Sequence, residues 1–98
     1  MKLLTKELEK KFKKHGKQET IKDPVIIAKF FNPTGGGTWY ATEYYPDEKV
    51  FFGYVTGLTA DEWGYFALEE LEKAKLPFGL KIERDLYFDE QPISNILK

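Results

Sequence analysis

The sequence contains no cysteine, and it has a single histidine, His15, in 98 residues. The missing cysteine excludes disulfides and thiolate metal sites, and it fits a reducing compartment such as the cytoplasm. Because His15 is the single histidine and lies among lysines, the sequence argues against a catalytic triad or a zinc site built on histidine. A Mg²⁺ site made only of acids, from Asp61, Glu62 or Asp85, is the one metal alternative left, and we expect no metal and no cofactor.

The sequence also lacks a long apolar run. Its longest apolar stretches are too short to span a membrane. The apolar run within the N-terminal MKLLTKELEKKF is too short for a signal peptide. A hydrophobic share of 42% with 32% charged residues is typical of a globular protein, and the length leaves no room for a second core. We expect one domain, residues 1–98, in the cytoplasm and without a membrane partner.

Charge is unevenly distributed along the chain. Residues 1–22 hold eight lysines against three glutamates, a net +5, and the remainder holds seven basic against thirteen acidic residues, a net −6. A basic tail can bind nucleic acid. We favour instead the solvent-exposed side of an amphipathic helix, because Leu4, Leu8 and Phe12 recur at every fourth position between the lysines.

The remaining pattern predicts a small α+β fold. Helix 1 is expected at about residues 5–15, with Thr5 as N-cap and Gly16 as C-cap. Strands are predicted at 24–31, 38–45, 50–57 and 80–88, a short helix at 68–75, and a helical turn at 93–97. Residues 58–64 are expected to be a loop, and 65–67 either a short strand or the entry to the helix. We predict an antiparallel sheet of about four strands with both helices packed on one face.

The run Gly35-Gly36-Gly37 invites comparison with a phosphate-binding loop. Such a loop needs a helix start and a lysine behind the glycines, whereas Thr38-Trp39-Tyr40 has the composition of a strand. We therefore expect a flexible connection in which replacing Gly36 has little effect.

Aromatic rings make up 16% of the chain and concentrate in the second and third predicted strands. Regular alternation places Trp39 and Tyr45 on one side of their strand, and Tyr40 and Tyr44 on the other. Since the helices cover one face, rings on the other face should remain partly exposed. Three interpretations stay open: core packing, a platform that stacks nucleic-acid bases, and a protein-binding patch.

Charged residues also occur inside apolar strands, where they are costly unless they are paired. They are Lys29, Glu43, Arg84 and Asp85, and we expect them to form structural ion pairs, such as Lys29 with Glu43 or Arg84 with an acid. A catalytic carboxylate pair would need a general acid and a base around a cleft, and no spacing here indicates one.

Four motifs in fixed order carry a resemblance to a known family: KFFNPTGGGTWYATEYY, FFGYVTG, GYFALEELE and IERDLYFDEQPIS. From Leu3 to about Ser94 the chain resembles the family catalogued as domain of unknown function 2958. The resemblance implies a small bacterial protein of plasmids, phages and integrating elements, and it transfers no catalytic residue. Proteins of that setting often bind and block a host factor.

Two functional hypotheses follow. The first is a non-enzymatic binding protein, such as an anti-CRISPR inhibitor, that contacts a host protein or protein–nucleic acid complex. Its contact residues would be Tyr40, Tyr44, Asp61, Glu62 and Trp63. The alternative is a nucleic-acid or small-ligand module, or a minor enzyme, that uses the aromatic hairpin or the region of Lys29, Glu43 and Arg84. The acidic balance after residue 22 disfavours nucleic acid.

Overall fold

The computed structural model describes residues 1–97 and confirms an α+β fold. Its elements are α1 (Lys6–His15), β1 (Val25–Ile26), β2 (Ala28–Phe31), β3 (Thr38–Tyr45), β4 (Val50–Thr56), β5 (Glu62–Ala67), α2 (Leu68–Lys73), β6 (Glu83–Arg84) and β7 (Gln91–Pro92). Short 3₁₀ turns follow at Pro77–Gly79 and Ile93–Asn95. Five strands form one antiparallel sheet in the order β5-β4-β3-β2-β6, and β1 pairs separately with β7.

Helix α1 begins and ends at the predicted caps. The Thr5 side chain accepts a hydrogen bond from the Leu8 N–H at 3.2 Å, and the Gly16 N–H donates to the Phe12 carbonyl at 2.9 Å. Gly16 has a φ of 64°, a conformation that glycine adopts at little cost. Phe12 is buried, and Leu4 and Leu8 pack against the edge of the core.

The core lies between the helices and one face of the sheet, and Phe51 is at its centre. This side chain is fully buried, and its ring centroid lies 4.9 to 5.7 Å from four other rings. Those rings belong to Phe12, Phe30, Tyr44 and Phe66. Leu71 of α2 completes the same cluster, so both helices pack on this face, as predicted. We call it the helix face.

A row of small residues crosses the helix face beside Phe51. Ala28 pairs with Ala41, Ala41 with Gly53, and Gly53 with Gly64. A β-carbon on Gly53 would overlap the carbonyl oxygen of Tyr40, so the backbones of β3 and β4 approach closely here. Glycine is therefore a packing requirement at position 53.

A β-bulge at Thr42 interrupts the pairing of β3 with β4. Ala41 pairs with Gly53, but Glu43 pairs with Phe52, so one extra residue is accommodated on β3. The bulge reverses the alternation of side chains beyond it. Tyr44 therefore lies on the helix face with Trp39, and the prediction that Tyr40 and Tyr44 share a face is wrong.

Three predicted elements differ from the observed ones. The strand expected at 24–31 is divided at Ile27, whose N–H donates to the Ala41 carbonyl at 2.8 Å. Of residues 80–88 only Glu83–Arg84 form a strand, because Pro77–Gly79 turns the chain before it and a turn at Asp85 follows. The expected loop at 58–64 ends earlier, since β5 already begins at Glu62 and becomes the fifth strand of the sheet.

The glycine connection is also more closely packed than expected. A β-carbon on Gly36 would overlap the carbonyl oxygen of Gly57 in the neighbouring connection. The Asn32 N–H donates to the Gly37 carbonyl at 3.0 Å and closes the loop. Replacement of Gly36 would require the backbone to move, so the expected tolerance to substitution at this position is wrong.

The segment that follows α1 is tied to the C-terminal part of the described chain. β1 pairs with β7 through Val25 with Pro92, and the Asp23 carboxylate accepts hydrogen bonds from the N–H and hydroxyl of Ser94 at 3.0 and 2.6 Å. His15 at the end of α1 lies 3.1 Å from Glu90. These contacts hold the segment between α1 and β2 against the segment after β6.

Candidate functional site

The face of the sheet opposite the helices carries two cross-strand rows of aromatic rings. In the first row Tyr40 pairs with Tyr54, and Tyr54 with Trp63. In the second row Phe52 pairs with Tyr65. Tyr45 adjoins the second row, with its ring 6.2 Å from that of Tyr65. We call the surface formed by Tyr40, Tyr45, Phe52, Tyr54, Trp63 and Tyr65 the aromatic face.

The rings of the aromatic face contact one another. Phe52 stacks on Trp63 at 5.8 Å and is tilted against Tyr65 at 4.9 Å, while Tyr54 meets the edge of Trp63 at 5.3 Å. Exposure increases toward the edge strand β5, where Trp63 is 38% and Tyr65 66% accessible. Rings that are held by neighbours yet open to solvent lose little conformational freedom when a partner binds.

A groove of about 360 Å³ borders the aromatic face. It lies between β4, β5 and the segment that leads from α1 to β1, and its apolar walls are Phe52, Trp63, Ile21 and Pro24. Ile21 is itself 48% exposed. The groove therefore extends the apolar surface beyond the sheet and offers a recess next to Trp63.

The predicted contact residues are only partly brought together. Tyr40 and Trp63 both belong to the aromatic face, although Trp63 lies on a strand and not in the loop that the sequence predicted. Asp61 and Glu62 precede Trp63 and are exposed; the Asp61 carboxylate accepts a hydrogen bond from the Gly57 N–H at 3.0 Å. Asp61 adds negative charge next to Trp63, whereas Glu62 pairs with Val55 of β4 and lies with it on the helix face.

Tyr44 does not belong to the aromatic face. Its ring lies 4.9 Å from that of Phe51 and 6.0 Å from that of Phe12, on the helix face. Burial, and then the charges of Glu9 and Glu72, raise the pKa of the Tyr44 hydroxyl above its usual value. The expectation that Tyr44 lies beside Tyr40 in one contact surface is therefore wrong, because the bulge at Thr42 turns Tyr44 to the helix face.

Glu43 occupies a buried polar cluster that the sequence analysis did not foresee. It is 3% exposed, and its carboxylate accepts hydrogen bonds from the Gln18 N–H at 2.8 Å and from the Tyr45 hydroxyl. The Gln18 side chain donates to the carbonyls of Thr42 and Val25 at 2.7 and 3.0 Å, and it accepts from the Val25 N–H at 2.7 Å. Gln18 thus ties β1 to the bulge, and no sequence signal marks it.

The ion pair expected between Lys29 and Glu43 does not form. Lys29 lies 3.6 Å from Asp85 instead, and its ammonium group is 5.9 Å from the centre of the Tyr40 ring. Arg84 pairs with Phe30 in the sheet, and none of the three ion pairs among residues 1–97 includes Arg84 or Glu43. Lys29 is therefore held at the border of the aromatic face by Asp85.

The lysine-rich helix and the aromatic face lie on opposite sides of the sheet. Phe12 of α1 packs against Phe51, whereas the next residue of β4, Phe52, points to the other side and stacks on Trp63. Beside the aromatic face, Glu19 and Lys22 line the groove, and the exposed Asp61 lies at the start of β5. The lysines of α1 therefore lie on the side of the sheet away from the aromatic face, and Lys22 is the lysine that lines the groove.

The raised pKa of Tyr45 predicts how the stability of the protein depends on pH. Burial, followed by the hydrogen bond to Glu43 and the charge of Glu43, raises the pKa of the Tyr45 hydroxyl well above its ordinary value of about 10. Above the ordinary pKa, the Tyr45 hydroxyl is deprotonated in the unfolded chain but still protonated in the folded one. The free energy of unfolding should therefore fall as the pH rises. Urea denaturation between about pH 8 and pH 11 measures this fall.

The matched variants for that measurement are Tyr45→Phe and Tyr87→Phe. Tyr87 is 95% exposed, so its replacement should leave the wild-type fall in stability unchanged. Tyr45→Phe should show a smaller fall, because the group that resists ionisation has been removed. Equal slopes in all three proteins would contradict the expectation.

Within residues 1–97, no group of three or more His, Asp or Glu side chains is arranged to hold a metal ion. Over the same residues, no helix has the length and apolar character needed to cross a bilayer.

Comparison with known proteins gave one result. The family model described as "Protein of unknown function (DUF2958)" matches residues 3–98. Neither the curated proteins nor the solved structures gave a match.

Proposed function

The chain belongs to the DUF2958 family, and we propose that it is a non-enzymatic binding protein that contacts a protein partner through the aromatic face. The observation that carries the proposal is the exposure of Trp63 and Tyr65 at the edge of a packed row of rings. Tryptophan and tyrosine are the residues that most often supply binding energy at protein interfaces, especially where neighbours exclude water around them.

The position of β5 supports the same interpretation. β5 is an outer strand of the five-stranded sheet, so its free edge presents backbone N–H and C=O groups beside Trp63 and Tyr65. A partner that covers the aromatic face can reach this edge without displacing any part of the core. The groove at Ile21 and Pro24 provides a recess for an apolar side chain of the partner.

The charge at the rim indicates the kind of partner. Asp61 precedes Trp63 and Glu19 lines the groove with Lys22, which leaves an excess of acidic residues near Trp63, and complementary charge accelerates and orients association. We propose a partner with a basic surface, such as the nucleic-acid channel of a host defence complex. The mobile-element setting that the family resemblance implies makes a CRISPR effector the first partner to test.

Site-specific photocrosslinking tests the contact surface. A photoreactive phenylalanine analogue at Tyr65 should crosslink to a protein in a host lysate, whereas the same analogue at the exposed Tyr87 should not. With the captured partner purified, Trp63→Ala should weaken binding by about tenfold, since loss of an interface tryptophan costs more than about 1 kcal/mol. Tyr87→Ala should bind as the wild type does.

Two results would contradict the proposal. One is unchanged partner affinity in folded Trp63→Ala protein. The other is binding of single-stranded oligonucleotides that weakens with salt and is lost in Trp63→Ala, which would assign base stacking to the aromatic face. A plaque assay against cells with an active CRISPR system separately tests the defence-factor partner, with Trp63→Ala as the inactive control.

A further inference from the structure

A second recess lies between α1 and the end of β3. It has a volume of about 420 Å³, within the range of small-ligand sites. Its lining includes the aromatic residues Phe12, Tyr44 and Tyr45, together with Glu43. We call it the α1–β3 pocket.

Glu43 gives this pocket a buried negative charge. The carboxylate accepts hydrogen bonds from the Gln18 N–H and the Tyr45 hydroxyl, and none of the ion pairs among the described residues includes it. Burying a carboxylate without a cation is costly, and two hydrogen bonds offset only part of that cost. A carboxylate has room for further donors, so a cation that enters the pocket would be stabilised here.

The rings around Glu43 favour the same class of ligand. The faces of aromatic rings attract ammonium groups, most strongly where water is excluded, and several rings together recognise alkylated ammonium ions. Glu9 also lines the pocket. Three rings and two carboxylates therefore surround one recess.

Two lysines at the rim act in the opposite sense. Lys13 and Lys17 line the pocket, are exposed, and belong to none of the ion pairs of residues 1–97. Their ammonium groups would repel a cationic ligand and attract an anionic one. Replacing these two lysines therefore tests whether the ligand is a cation or an anion.

We propose that the α1–β3 pocket binds an organic ammonium group, carried either by a lysine side chain of a partner protein or by a free small amine. The proposal is independent of the aromatic face, because the variants that test it leave Trp63 and Tyr65 unchanged. Tyr45 adjoins both sites and is therefore not used as a test position.

The first experiment compares two ligands of equal shape on the wild-type protein. Choline and 3,3-dimethylbutan-1-ol differ in that a quaternary nitrogen replaces a carbon, and each is titrated while ¹H–¹⁵N NMR spectra are recorded. Choline should shift the amide signals of Gly16 and Tyr44 and bind at least about fivefold more tightly than the alcohol. Equal or tighter binding of the alcohol would overturn the proposal, as would choline shifts confined to the indole N–H of Trp63.

Variants at the rim test the sign of the ligand charge. Lys13→Gln with Lys17→Gln should tighten choline binding about twofold or more, because two repelling charges are removed. Lys75→Gln with Lys81→Gln makes the same change in net charge away from the pocket and should have a smaller effect. Weaker choline binding in the rim variant would overturn the proposal. Both variants change exposed residues and leave the Glu43 hydrogen bonds intact.

A third titration distinguishes the two sources of the ammonium group. Binding of Nα-acetyl-lysine-N-methylamide is compared with that of n-butylammonium, which has the same stem and no backbone. Tighter binding of the blocked lysine supports a partner's side chain, and tighter binding of butylammonium supports a free amine. Absence of binding by both compounds and by choline would overturn the proposal.

Discussion

Phe51→Ala should lower the free energy of unfolding by about 3–5 kcal/mol, the range for removing a fully buried phenylalanine. Phe51 has no exposed surface, and four rings surround it from α1, β2, β3 and β5. These rings belong to elements that the sheet and the helix caps fix in place, so they cannot close around the space left behind. Small domains have only about 5–15 kcal/mol of stability, so this loss would remove a large share of it.

Urea denaturation followed by circular dichroism measures this loss. The control is Phe78→Ala, since Phe78 is 95% exposed and its removal should change stability by less than about 0.5 kcal/mol. A loss below about 1.5 kcal/mol in Phe51→Ala would mean that the neighbouring rings collapse into the cavity, contrary to the expectation.

Gly53→Ala should also destabilise the fold, by about 2–3 kcal/mol, although it adds a single methyl group. The added carbon would overlap the Tyr40 carbonyl oxygen and crowd the α-carbon of Ala41, which are backbone atoms and cannot move as a flexible side chain can. β3 and β4 would have to separate next to the bulge at Thr42.

Gly64→Ala is a matched control in the same cross-strand row. Gly64 pairs with Gly53 from the neighbouring strand, but a β-carbon on Gly64 would meet no atom within 4 Å. We expect it to leave the melting temperature nearly unchanged, while Gly53→Ala should lower it clearly. Similar melting temperatures for the two variants would show that β3 and β4 adjust to the methyl group at low cost.

Much of the fold could be predicted from local sequence signals. Helix α1 has a capping threonine, a C-terminal glycine and an apolar stripe, and these act within a few residues of each other. The hairpin of β3 and β4 was predicted from β-branched and aromatic residues around the turn at Pro46. Signals of this kind do not depend on the rest of the chain.

The errors arise where distant segments decide the structure. The bulge at Thr42 depends on the register between β3 and β4, and no residue type announces it; it turned Tyr44 toward Phe12 and Glu43 toward Gln18. Lys29 pairs with Asp85 because the turn after β6 brings that carboxylate to β2. Residues 80–88 look like a strand by composition, but only two of them find a partner in β2.

The candidate site was predicted in part for the same reason. Trp63 and Tyr40 could be selected as aromatic residues near a sheet, but their neighbours on the aromatic face depend on strand order. The alternation of Trp63 and Tyr65 around Gly64 is a strand pattern, and assigning it as such would have added Tyr65 to the site. Gln18 lies in a polar segment whose composition indicates only a connection.

The pairing of β1 with β7 has a consequence for the order of folding. β3, β4 and β5 are joined by short connections, so their contacts close small loops, whereas Val25 and Pro92 meet across most of the chain. Closing a longer loop costs more entropy, and local contacts tend to form first. We expect the three-stranded meander to be present in the folding transition state and the β1–β7 pair to form late. Substitutions at Asp23 or Ser94 should therefore accelerate unfolding and leave the folding rate nearly unchanged.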